Sequence, residues 1–122
     1  MSSTGDLTIT PSGSDASFAG RVASTNTAVT VAGAATTFAV ASNVVKVTGD
    51  AGGNTISTIT GGLAGQILVL IFIDNKVTIT DDASKTANTV NLSAAFTSAA
   101  NTTLSLVFDG VSWFETGRSV NG

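Results

Sequence analysis

Hydrophobic and polar positions alternate in short runs along most of the chain, and Gly, Asn, Asp and Ser punctuate the runs. Successive side chains of a strand point to opposite faces, so this period of two, built from Val, Ile, Thr and Phe, predicts β-structure. Helical periodicity is nearly absent. Strands are expected over 7–10, 17–22, 28–31, 37–41, 44–48 and 55–60 in the first half. In the second half they are expected over 66–74, 76–80, 89–92, 103–108 and 112–116. The segment 49–54 reads as a loop, because glycine readily takes positive φ and Asn and Asp favour turns. Asp74-Asn75 and Asp109-Gly110 sit where two-residue hairpin turns would. The stretch 81–88 is a polar excursion, and the alanine-rich 93–101 suits a short helical turn or a packed loop.

The run 67–73 departs from alternation, since both of its faces are apolar. One face can enter the subunit core and the other needs a cover. A second sheet of the same subunit could supply it, as could copies of the strand packed around a homotrimeric axis. Val or Ile is paired with Thr in Thr8-Ile9-Thr10, Val29-Thr30-Val31, Val47-Thr48 and Val77-Thr78-Ile79-Thr80, but no fixed period relates these segments. So many short strands in 122 residues predict an all-β fold with a single domain over 11–122. An antiparallel β-sandwich, jelly-roll-like, or a β-prism are the expected architectures. Residues 1–10 are expected to form a flexible N-terminal arm, a candidate to reach a neighbouring molecule.

Composition narrows the function more than the fold. Charged residues are only 11% of the chain against 43% hydrophobic, and that charged share is roughly half the usual one. A surface so poor in charge suits either a monomer coated in hydroxyls or a protein covered by copies of itself or by a larger assembly. The net charge is -3, and Arg21, Lys46, Lys76, Lys85 and Arg118 are scattered, so no patch tracks a phosphate backbone and no nucleic-acid partner is expected. No apolar run approaches the roughly 20 residues of a spanning helix, so no membrane partner is expected either. With no cysteine there is neither a disulfide framework nor thiol chemistry. Residues 1–6 have neither the basic start nor the apolar core of a secretory signal.

Histidine is also missing, which removes the usual base of a nucleophilic triad and the commonest zinc ligand. Asp6, Asp15, Asp50, Asp74, Asp81, Asp82, Asp109 and Glu115 could in principle supply a carboxylate pair for sugar hydrolysis. All but Glu115 fall in expected turns or tails, where Asp serves the backbone. Asp81-Asp82, with Asp74, could hold a calcium ion, but the spacing matches no EF-hand and a solvated loop is the plainer reading. Gly61-Gly62-Leu63-Ala64-Gly65 lacks the Gly-Lys-Ser/Thr of a phosphate loop and precedes a strand, so it reads as a strand-entry turn. Asn91-Leu92-Ser93 and Asn101-Thr102-Thr103 match the glycosylation pattern as chance would in so Asn- and Thr-rich a chain. No enzyme activity, cofactor or metal is expected. Trp113 and Phe114 are adjacent, so they face opposite ways and at least one joins the core.

Three groups of residues combine into a longer pattern: Gly61-Gly62-Leu63-Ala64-Gly65-Gln66, then Asp109-Gly110-Val111-Ser112-Trp113-Phe114-Glu115, then Arg118-Ser119-Val120-Asn121. This ending resembles a β-rich module of tailed-phage virion proteins, which include capsid decoration proteins, fibres and tailspikes. The resemblance covers roughly 55–121, and its motifs are structural. It implies a homotrimer, with Ile67, Val69, Ile71, Ile73, Trp113, Phe114, Glu115 and Arg118 as candidate interface residues. It implies a virion location and a partner in the major capsid protein or another virion protein. The expected function is a non-enzymatic trimeric capsid decoration protein, or cement, that stabilises the head. A receptor-binding fibre or tail-tip module and a subunit of an extracellular β-rich filament are the alternatives.

Overall fold

The computed structural model describes Gly13 and residues 18–121. Among them are eleven strands and no helix. They are β1 (Asn26–Thr30), β2 (Thr37–Ala39), β3 (Val44–Thr48), β4 (Asn54–Ile56), β5 (Thr58–Thr60), β6 (Ile67–Phe72), β7 (Val77–Ile79), β8 (Val90–Asn91), β9 (Phe96–Thr97), β10 (Thr103–Phe108) and β11 (Trp113–Ser119). The expected arm at 1–10 and the strand at 7–10 lie outside the described residues. Residues 18–22, part of an expected strand, carry no strand here, and 93–101 holds β9 rather than a helical turn.

The architecture is solenoid-like. β1, β3 and β6 stack in parallel, as do β2 on β5 and β4 on β7. Each circuit of the chain therefore lays its strands over those of the previous circuit. Two of the Val-Thr pairs occupy equivalent places in this stack, Val29 against Val47 and Thr30 against Thr48, whereas Val77-Thr78 belongs to another sheet, beside Asn54 and Thr55. Spacing between circuits is uneven because the loops differ in length, with Val44 set against Asn26 below it in sequence but against Val69 above it.

Parallel stacking corrects the expected turn at Asp74-Asn75. β6 and β7 do not pair with one another, so this dipeptide is a corner between two sheets and not a hairpin. The Asp74 carboxylate accepts the backbone N–H of Lys76 in its own circuit and of Gly49 in the circuit before, each at 3.0 Å. It thus ties one corner to the next. Likewise the strand expected over 55–60 divides at Ser57 into β4 and β5. Asn54 and Ile56 point inward, and after the corner it is Ile59 that does so.

After β7 the chain reverses and closes the stack. β10 runs antiparallel to β6, and β11 antiparallel to β10, giving a six-stranded sheet in the order β1-β3-β6-β10-β11-β8. The hairpin expected at Asp109-Gly110 is present with a four-residue loop, since Phe108 pairs with Trp113. One continuous core runs through both parts. Val45, Val47, Ile56, Ile59, Leu68, Leu70, Phe72, Leu104, Leu106 and Trp113 are all fully buried. The buried Asn54 serves a corner: its amide donates to the Ala32 carbonyl at 2.9 Å and its oxygen accepts the Asp50 N–H at 2.7 Å. Both interactions satisfy backbone groups that a turn would otherwise leave unpaired.

Candidate interaction site

β6 presents two unlike faces. Its even positions Leu68, Leu70 and Phe72 fill the core, and the odd positions Ile67, Val69 and Ile71 point outward, as does Ile73 just past its end. Ile67 and Ile73 are 54% and 47% exposed, and Val69 and Ile71 are half-buried between neighbouring strands. Register extends this row sideways: Val69 lies beside Val44 of β3, and Ile67 beside Val107 of β10. Val107 in turn lies beside Phe114 of β11. The outer face of the six-stranded sheet therefore carries a contiguous group of β-branched and aromatic side chains. Soluble proteins rarely leave such groups uncovered without a use for them.

The adjacent aromatics divide as strand geometry requires. Phe114 faces outward, with the Lys85 ammonium 5.8 Å from its ring centre. Trp113 faces inward and is 0% exposed, so its surface is not open to a partner. Its indole N–H donates to the Ile59 carbonyl at 2.8 Å, and its ring packs on Phe108 at 4.7 Å between centroids. The resemblance motifs meet here. A side-chain carbon on Gly62 would lie 2.6 Å from the Trp113 ring, so only glycine lets the 61–65 turn approach it. The Gly65 N–H donates to the Phe108 carbonyl at 2.8 Å, and the Phe108 N–H to the Gln66 carbonyl at 3.0 Å. Gln66 also uses its side chain, accepting the Leu63 N–H and donating to the Ser42 carbonyl. The two glycine-bearing loops are thus a single packed unit.

Glu115 and Arg118 form the other linked group. A shift in the β10–β11 register places both on the inner side of β11, at its border with the 93–94 segment. The guanidinium meets the carboxylate as a fork, Nε to Oε1 and an NH2 nitrogen to Oε2 at 2.7 Å. Glu115 also accepts the Ser93 N–H at 2.8 Å, and Arg118 donates to the Ala94 carbonyl at 2.8 Å while lying over the Phe96 ring. The Arg118 fork, followed by the Ser93 hydrogen bonds, holds the Glu115 carboxyl down at about 2, and Glu115 in turn raises Arg118. This pair ties the last strand to the chain that covers the core edge. Beside it lies an open groove of about 410 Å³ lined by Asn91, Leu92, Ser93, Phe114, Glu115, Thr116 and Gly117.

The remaining carboxylates among the described residues satisfy backbone N–H groups, mostly within turns. Asp50 accepts the Gly52 N–H, Asp81 the Leu92 N–H, Asp82 the Ser84 N–H, and Asp109 those of Val111 and Ser112. Asp109 and Asp82 are lowered by these bonds, Asp109 chiefly by the Ser112 N–H and Asp82 chiefly by the Ser84 hydroxyl. No cluster of three metal-ligating side chains occurs among the described residues. No helix among them is long and apolar enough to cross a membrane. Sequence reasoning missed Val44 and Val107 as companions of the β6 row. Their outward placement follows from register, which the alternation of each strand alone does not reveal.

No family model, curated protein or solved structure matches the chain.

Proposed function

We propose that this chain is a non-enzymatic structural protein of a tailed-phage virion, a capsid decoration protein that works as a homotrimer. The observation that carries the reading is the outward row Ile67, Val69, Ile71 and Ile73 with Val44, Val107 and Phe114 beside it. Burying such a row against two symmetry copies removes apolar surface from water, at about 25 cal/mol per Å². In this reading the stacked sheets act as the walls of a prism, and the row from each copy meets at a three-fold axis. Such a trimer would clamp neighbouring major capsid proteins at local three-fold positions and resist outward pressure through buried contacts. The paucity of charge and the packed unit formed by the motif loops support a rigid assembly part. Glu115 and Arg118 hold the C-terminal strand rigid within the subunit, so their contribution to the interface is to shape its border.

A fibre or tail-tip module is the second reading, favoured by the parallel stacking itself. A stack of coils lengthens by adding circuits, which suits an extended appendage. Cryo-electron microscopy of the particle that carries the chain separates the two. Trimeric density repeating over the shell is the expected result. Density confined to a tail tip, or to a filament without a capsid, would overturn the decoration role.

A further inference from the structure

The two edges of the six-stranded sheet are unlike. At the β1 edge the chain arrives through residues 18–25, which carry no strand and are exposed throughout. Two large apolar side chains stand in that segment, Phe18 at 60% and Val22 at 74% exposed, so most of each is left to water. The Ser24 hydroxyl accepts the Asn43 amide at 3.3 Å, which fixes where the segment leaves the sheet, beside the start of β3. At the opposite edge β8 accompanies β11 only along Trp113 and Phe114, and then leaves it. That separation opens the groove between 91–93 and 114–117. Leu92 and Phe114 give the groove apolar surface, and a side-chain carbon placed on Gly117 would meet nothing within 4 Å. A glycine inside a strand, beside a bulge, marks a place where another chain can approach closely. The shift in the β10–β11 register falls at this same point.

Register places the two features at one level. Gly117 pairs with Ser105, Ser105 with Val69, Val69 with Val44 and Val44 with Asn26, the residue that follows the exposed segment. Strands at a spacing of about 4.8 Å make the sheet about 24 Å wide, so within one subunit segment and groove lie on opposite sides. Around a three-fold axis parallel to the strands, with the β6 row facing inward, three such sheets form a triangular prism. Each corner of the prism then brings the β1 edge of one copy against the β8–β11 edge of the next. Rotation about the axis keeps their levels equal. Residues 18–25, extended, reach at most about 27 Å, enough to cross such a corner.

We infer that residues 18–25 of each copy lie in the groove of the next copy, with Phe18 and Val22 covered against Leu92 and Phe114. Segment and groove are different surfaces, so the contact runs head to tail, and it closes because the three-fold rotation does. The inference rests on the trimeric reading, to which it adds a second contact beside the β6 row.

Because the chain has no cysteine, paired cysteines report this contact directly. Val22→Cys with Thr116→Cys sets one thiol on the exposed segment and one on the groove wall. A short bis-maleimide added to the full chain is expected to give a covalent trimer on denaturing gels, since each copy links to the next. Thr30→Cys with Thr116→Cys is the control, with its first thiol about 13 Å beyond Asn26 along β1, and it should give little. Phe18→Ser with Val22→Ser should raise the concentration at which the trimer dissociates by about tenfold or more, read by sedimentation. In a native chain that sediments as a trimer, linking no greater than in the control, or dissociation unchanged by the serine pair, would overturn this inference alone. A link formed within one chain would place the segment in its own groove and overturn it too. A native chain that sediments as a monomer would overturn the trimeric reading and the inference with it.

Discussion

β6 and β10 are neighbours in one sheet, equal in length and paired residue to residue, yet they treat solvent differently. Their inner faces are alike, with Leu68, Leu70 and Phe72 against Leu104, Leu106 and Phe108, all buried. Outward, β10 offers Thr103, Ser105 and Val107, while β6 offers Ile67, Val69 and Ile71, with Ile73 just past its end. β10 shows that a strand in the middle of this sheet needs only alternation, apolar inside and mostly polar outside. The extra apolar residues of β6 are therefore not required by the subunit fold. They are the part of the sheet that a partner would explain.

Substitutions that break the inner side should dominate stability. Trp113→Ala is expected to cost about 3–5 kcal/mol, through the cavity it leaves and the Ile59 carbonyl it orphans. Leu70→Ala and Leu104→Ala should cost about 2–5 kcal/mol each and resemble one another, because the inner faces are equivalent. Urea denaturation of the three variants measures both statements. Next comes Gly62→Ala, expected to cost about 1–3 kcal/mol by forcing the turn away from Trp113. A free energy unchanged by it would show that the turn yields without strain.

The Glu115–Arg118 fork should matter less. Glu115→Gln is expected to cost about 1 kcal/mol, since Arg118 is partly open to solvent and screening reduces the pair's worth. Folding lowers the Glu115 carboxyl from 4.5 to about 2. Its stabilisation is therefore complete above about pH 4.5 and is lost as pH falls through about 2. Thermal melts across that window should fall more steeply for the native chain than for the Gln variant. Parallel slopes would remove the pair from the account. Smallest is Ile71→Thr, which makes β6 resemble β10 on its outer side. In dilute solution, where any assembly is dissociated, it should change stability by no more than about 0.5 kcal/mol.

Much of this was legible in the sequence, for reasons that can be traced. Alternation located most of the strands and divided Trp113 from Phe114 correctly by face. The double-sided apolar run marked β6, and Asp109-Gly110 marked a hairpin. Direction of pairing was not legible. A parallel stack and an antiparallel meander share the same period of two, and the Asp-Asn pair at 74–75 suits a corner as well as a hairpin. Only the change of inward parity between Ile56 and Ile59 hinted at a corner. No period survived counting because circuits differ in loop length, so the register partners Asn26, Val44 and Val69 lie at unequal distances, and because Val77-Thr78 belongs to a different sheet from Val29-Thr30 and Val47-Thr48. Glu115 and Arg118 were visible as members of the closing motif. Their contacts with Ser93 and Ala94 were not, because those depend on where β8 and β9 return.

The contrast between β6 and β10 rests finally on whether the outer row of β6 is covered by copies of the chain. Sedimentation velocity of the full-length protein at micromolar concentration measures this, run beside Ile71→Lys, which sets a charge in the middle of the row. The account predicts a trimer for the native chain and a folded monomer for the variant. A native chain that sediments as a monomer would contradict it.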